Sequence, residues 1–127
     1  MALVTIVMAL ALIEYSIFGV LVGRARGKYG IDAPAIVGNP IFERYYRVQQ
    51  NTLEMLALFI PGMIIFAQYV SADVAAGLGI VFIVGRFLYL RAYVADPKSR
   101  SLGFALSFIP AQILLIGGLI GAALELF

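Results

Sequence analysis

Phe42-Glu43-Arg44-Tyr45-Tyr46-Arg47-Val48-Gln49-Gln50-Asn51-Thr52-Leu53-Glu54 runs directly into Met55-Leu56-Ala57-Leu58-Phe59-Ile60 and, past Pro61, into Met63-Ile64-Ile65-Phe66-Ala67. Arg44, Arg47, Asn51 and Glu54 recur at steps of three and four, so on a helix they form one polar stripe. The stripe opens an apolar run that carries no charge as far as Val70. On insertion scales a charged residue at mid-membrane costs roughly 2.5–3.5 kcal/mol, and less near the interface. The stripe should therefore face protein or a hydrated cavity, with something polar set against it.

Outward from this segment, the whole chain is apolar. Of its 127 residues 63% are hydrophobic, and four runs reach the roughly 20 residues that a bilayer core of about 30 Å demands. They cover Ala2–Val22, Ile41–Val70, Ala72–Val94 and Leu102–Leu126. The composition predicts an all-α integral membrane protein, a single four-helix domain over residues 1–127 with spans near 2–22, 41–70, 72–94 and 102–126.

The first span has no basic segment ahead of it, so it reads as an uncleaved helix rather than a secretory leader. Arg24, Arg26 and Lys28 follow it, Lys98 and Arg100 lie in the third connection, and the second connection has no Lys or Arg. That bias puts the first and third connections in the cytoplasm and both termini outside. The short chain without an obvious retention tail leans towards a bacterial inner membrane over the endoplasmic reticulum. A net charge of +2 is no nucleic-acid signature. With neither Cys nor His, disulfides, thiolate metal sites and imidazole bases are excluded, and the scattered carboxylates suggest no metal site.

Breakers divide the chain. The first helix should end near Arg24, with Gly27–Pro40 an ordered loop. Asn39 and Pro40 fit the N-cap and first position of helix two, and Pro61 should kink that helix. Ser71 caps helix three after a very short turn, and Asp96-Pro97 ends it. Gly117, Gly118 and Gly121 give helix four a small-residue face for close packing.

Helix three carries Arg86, Tyr89 and Tyr93 on one face. Helices two and three are antiparallel neighbours, so the two polar stripes can meet at one depth, beside Arg100 at the start of helix four. Arg47, Asn51 and Glu54 span about 60° of arc, with Gln49 roughly 160° away. A Gln on the far side suggests a second protein surface, hence an oligomer. Plainer readings exist for each residue: an Arg47–Glu54 ion pair, Tyr89 and Tyr93 as interfacial aromatics, and Arg24, Arg26, Lys28 and Lys98 as positive-inside anchors. Two stripes at matched depth favour a joint site.

FERYYRVQQNTLE resembles the helix-two signature of the MAPEG family, the membrane-associated proteins in eicosanoid and glutathione metabolism. The likeness extends through VGRARGKYGIDAPAIVGNP and GRFLYLRAYVADPKSRSLGF and looks closest to the type 2 microsomal glutathione transferase and leukotriene C synthase branch. It implies a homotrimer with glutathione held between subunits near the cytoplasmic surface. By motif position, Arg47, Asn51, Glu54, Tyr89 and Tyr93 would bind the tripeptide from one subunit, and Arg26 and Gln49 from its neighbour. Arg100 matches the arginine that activates the thiol. Met55 stands where the family usually has an aromatic, and Ala57 where it often has a proline.

The implied activity is conjugation of glutathione to lipophilic electrophiles from the bilayer; lipid hydroperoxide reduction would use the same thiolate. Glutathione is the co-substrate, and no metal is called for. Two alternatives stand beside it. Glu14, alone in the first span, fits a small proton-coupled multidrug exporter, although a hydrogen-bonded Glu14 at a helix interface is the plainer reading. A catalytically silent glutathione- or lipid-binding scaffold is the other, and the presence of Arg100 speaks against it.

Overall fold

A computed structural model describes all residues, Met1–Phe127, and contains four helices: α1 (Ala2–Tyr29), α2 (Pro40–Tyr69), α3 (Ala72–Ala95) and α4 (Ser101–Leu126). All four are long and apolar enough to cross a membrane. A short 3-10 turn, Pro97–Ser99, joins α3 to α4.

Local chemistry sets most boundaries. The Asn39 side chain accepts from Ile41 N and Phe42 N at 2.9 and 3.1 Å, with Pro40 opening α2. Ser71 caps α3 by accepting from Val74 N at 3.2 Å, leaving only Val70 and Ser71 between α2 and α3. The first boundary departs from expectation. Helix α1 runs past Arg24 to Tyr29, so Arg26 and Lys28 lie on its last turn rather than in a loop. Arg24, Ala25, Arg26 and Lys28 are good helix formers, and cations suit the negative end of the helix dipole. The stop comes at Gly30, which takes the left-handed conformation at φ 68° and whose N–H bonds to Arg26 O. The charges ended the apolar span, not the helix.

Pro61 does not break α2, which continues to Tyr69 with the proline exposed on its outer side. Asp96 ends α3 and accepts from Lys98 N at 3.1 Å, starting the 3-10 turn; α4 proper begins at Ser101.

The main core fills the half of the bundle remote from the basic connections. Phe59 of α2 stacks on Phe82 of α3 with ring centres 3.9 Å apart, among Val7, Met63, Ala75 and Leu114. Small residues on α4 bring it onto its neighbours. A methyl at Gly118 would lie 2.6 Å from Ile65 Cγ2, and one at Gly85 of α3 would lie 2.7 Å from the Leu106 carbonyl carbon. Gly103 sits directly on the Tyr89 backbone. These contacts fix the start of α4 against the middle of α3.

Candidate functional site

At the basic end, α2, α3 and the first turn of α4 diverge around an open cleft of about 590 Å³. Arg47 and Asn51 enter from α2, Tyr89 and Tyr93 from α3, and Arg100, Ser101 and Phe104 from α4 and the turn before it. Five residues picked from the sequence thus meet in one place, though they span more than fifty positions of the chain.

Beneath the cleft lies a side chain whose role the sequence did not disclose. Arg86 is completely buried, and its Nη1 and Nη2 both donate to Asn51 Oδ1 at 2.9 Å. Its guanidinium also lies 4.2 Å from the centre of the Tyr89 ring, a cation–π contact strengthened by exclusion from water. Tyr89 in turn packs on Tyr93, with ring centres 5.4 Å apart. One arginine therefore holds an α2 amide and an α3 phenol together. The Glu14 carboxyl on α1 is within Coulombic range of Arg86, and its Oε1 is buried with no hydrogen-bond partner. The sequence placed Arg86 on the face of Tyr89 and Tyr93. Its bond to Asn51 depends on the α2–α3 register, which only packing sets.

Arg100 is exposed at the cleft mouth, immediately before α4, and its Nη1 donates to Pro97 O at 2.7 Å. The first turn of α4 has no acidic residue and no side-chain cap. Its free N–H groups add positive potential beside the guanidinium. An anion in this cleft would meet Arg47, Arg100, two phenols and the end of a helix dipole.

Other residues fall outside the cleft. Glu54 is exposed on α2 and does not line it. Gln49 faces α1, where its Nε2 would lie 3.1 Å from a methyl placed on Gly19. Arg26 holds the 30–39 connection: Nη1 donates to Ala35 O at 2.7 Å and Ile31 O at 3.3 Å, and the guanidinium covers the Phe42 ring at 4.8 Å. Within one chain, then, Arg26, Gln49 and Glu54 are not part of the cleft. Arg44 is structural, its Nη1 bonding to Val94 O at 2.9 Å and Ala95 O at 3.3 Å at the carbonyl end of α3. Met55 is buried in the main core, so it contributes nothing to the cleft. Ser101 and Phe104 were missed because their direction depends on where α4 begins.

The MAPEG family profile matches residues 4–120. The chain belongs to the MAPEG family. It is an integral, multi-pass membrane protein, as its four apolar helices and this membership together require. Among relatives, this MAPEG chain is 45% identical over 121 residues to an uncharacterized protein of Synechocystis sp., covering 95% of the chain and 88% of that protein. It is 38% identical over 121 residues to Homo sapiens microsomal glutathione S-transferase 2, covering 95% and 82%. Against Cavia porcellus leukotriene C4 synthase the identity is 31% over 99 residues, covering 78% and 66%.

Proposed function

We propose that this protein is a membrane-bound glutathione transferase that activates the glutathione thiol and conjugates it to lipophilic electrophiles. The observation that carries this reading is the position of Arg100, at the uncapped start of α4, facing the same cleft as Arg47, Asn51, Tyr89 and Tyr93. The likeness to proteins named microsomal glutathione S-transferase 2 supports the substrate.

Glutathione carries two carboxylates and one ammonium. Arg47 suits a carboxylate, and the Asn51 amide, its oxygen already held by Arg86, suits a backbone carbonyl. The chain has no Cys, so the nucleophile is the tripeptide's sulfur. An unperturbed thiol near pKa 8.5 is mostly protonated at neutral pH; lowering it by about two units requires roughly 2.7 kcal/mol of preference for the thiolate. The Arg100 guanidinium, with the dipole of α4 behind it, can supply that by charge-assisted hydrogen bonding. Arg100 stays protonated throughout. The thiol proton leaves to solvent, and the thiolate forms a carbon–sulfur bond as the leaving group departs or an epoxide opens. Reduction of a lipid hydroperoxide would begin with the same thiolate attacking the peroxide oxygen.

We place the site on the cytoplasmic side, following the charge bias of the connections, and the assembly as a homotrimer with sites between subunits. Glu54 supports the assembly. It is exposed beside Leu53, Ala57 and Pro61 on the outer side of α2, where facing lipid would be costly. A neighbouring subunit would cover it and bring Arg26 and Gln49 to the cleft. Only one Arg26 nitrogen is engaged with the loop carbonyls, so most of its donors remain available.

Conjugation of glutathione to a chromogenic aryl halide, followed in detergent and in liposomes, tests the proposal. Arg100→Ala should lower turnover at least about tenfold with glutathione still bound, the loss expected from removing one stabiliser of developing charge. Wild-type turnover in that variant would rule out Arg100 as thiol activator. No conjugation or glutathione binding by the unmodified protein would rule out the function.

A further inference from the structure

On the side of the bundle away from the cleft, three cavities join into one furrow. The first, about 450 Å³, lies between α1 and α3 and begins at Leu10. It shares Leu21, Phe87 and Leu90 with a second of about 490 Å³, which reaches Arg91. The second shares Leu21 and Tyr45 with a third of about 170 Å³, lined also by Arg24 and Lys28. None of the cleft residues lines any of them, and neither do Arg26, Gln49 and Glu54.

The furrow is sharply divided in character. From Leu10 to Leu21, eleven steps along α1, it extends about 16 Å at 1.5 Å per residue, close to the roughly 15 Å of one bilayer leaflet. Its only ionisable side chain there is Glu14, whose Oε1 is buried. Arg24 and Lys28 follow about 4.5 and 10 Å further along α1, lining the third cavity, and Arg91 of α3 lines the second, which adjoins it through Leu21 and Tyr45. All three cations are exposed. Arginine side-chain hydrogen bonds in this chain belong to Arg26, Arg44, Arg86 and Arg100, and Lys28 touches only the Tyr29 ring, at 5.4 Å. Three uncommitted cations thus crown an apolar channel one leaflet deep.

We propose that this furrow is a binding site for an anionic glycerophospholipid, its acyl chain lying along Leu10–Leu21 and its phosphate between Arg24, Lys28 and Arg91. A basic pocket between helices at the membrane boundary recognises anionic headgroups because each cation attracts the phosphate where water is scarce. A zwitterionic lipid gains less, since its own ammonium competes for that phosphate. The site is independent of the proposed catalysis and persists if that reading fails.

The test is competitive retention. The protein in neutral detergent is equilibrated with equal amounts of phosphatidylglycerol and phosphatidylcholine of the same chains, and bound lipid is read by native mass spectrometry. Phosphatidylglycerol should be retained at least about fivefold over phosphatidylcholine, the equivalent of one cation near the surface. Combined Arg24→Gln, Lys28→Gln and Arg91→Gln should abolish the preference. Lys98→Gln, a cation outside the furrow, should keep it. If the triple variant does not fold, the three single variants make the same test, each expected to reduce the preference. Equal retention by the unmodified protein, or an unchanged preference in the variants, overturns the proposal. Displacement of the lipid by glycerol phosphate alone would reduce the site to one for a free anion and also overturn it. So would disulfide crosslinking of a Phe87→Cys chain to a second copy in membranes, which would mean that a subunit covers the furrow.

Discussion

The residues of the polar stripe divide by what they touch. Phe42 is fully buried beneath Arg26, Glu43 Oε2 accepts from Gly38 N at 3.1 Å, and Arg44 binds the end of α3. These three hold the connection and the bundle end in place. Arg47 and Asn51 reach the cleft. A helical wheel puts Arg44, Arg47, Asn51 and Glu54 on one face, but cannot distinguish a residue that caps a neighbouring helix from one that meets a ligand. Arg86 makes the difference measurable. Replacing it with Met keeps much of the volume but frees Asn51 and Tyr89 from their common anchor. Affinity for glutathione should fall about tenfold, since about 1.4 kcal/mol is within reach of two charge-assisted bonds. Turnover at saturation should change much less, because Arg100 is untouched. A kinetic titration of glutathione checks this; a loss confined to turnover would contradict the anchoring role. Glu14→Gln should leave conjugation largely intact, and proton-driven export of a lipophilic cation abolished by it would favour the exporter.

At the scale of the helices, what could be read in advance was local. Asn39-Pro40 and Ser71 bond within their own first turns, so their capping is written in adjacent residues. The length of α1 is also local, set by helix formers up to the Gly30 cap; the reach of Arg86 and the direction of Ser101 and Phe104 depended on longer-range packing. The crossing of α3 and α4 governs the last of these. A methyl at Gly103 would overlap the Tyr89 backbone, whereas one at Gly27 in α1 meets nothing within 4 Å. Gly103→Ala should therefore push the start of α4 away and cost conjugation at least about tenfold, a sub-ångström to ångström error in placing a catalytic group being sufficient. Gly27→Ala should raise stability by about 0.5–1 kcal/mol, since Ala is the better helix former. Parallel thermal melts and aryl halide assays would separate the two.

For the whole molecule, four spans were legible from hydrophobic run lengths, while the cleft was legible only as residue types. Arg26, Gln49 and Glu54 lie outside the cleft of their own chain, so a lone subunit has an incomplete version of the proposed site. Co-expressing an Arg26→Ala, Gln49→Ala chain with an Arg47→Ala, Glu54→Ala chain should restore part of the activity that each lacks alone, because some interfaces receive two intact halves. Failure in verified mixed assemblies would mean that each site is built within one chain. The absence of cysteine gives a direct check of orientation. Lys98→Cys should react with an impermeant maleimide only from the cytoplasmic side, and Phe127→Cys only from the other.

All nine Lys and Arg side chains belong to the basic half of the bundle: Arg24, Arg26 and Lys28 end α1, Arg44 and Arg47 begin α2, Arg86 and Arg91 lie in the second half of α3, and Lys98 and Arg100 follow it. The membrane end carrying the cleft is therefore an electrostatic funnel for anions. The proposed co-substrate, glutathione, with a net negative charge at neutral pH, would be drawn towards it before touching any single residue. Raising ionic strength from about 0.01 M to about 0.15 M shortens the screening length from roughly 30 to 8 Å. Capture of glutathione, measured as kcat/KM, should slow across that range, while kcat, fixed inside the cleft, should hardly move.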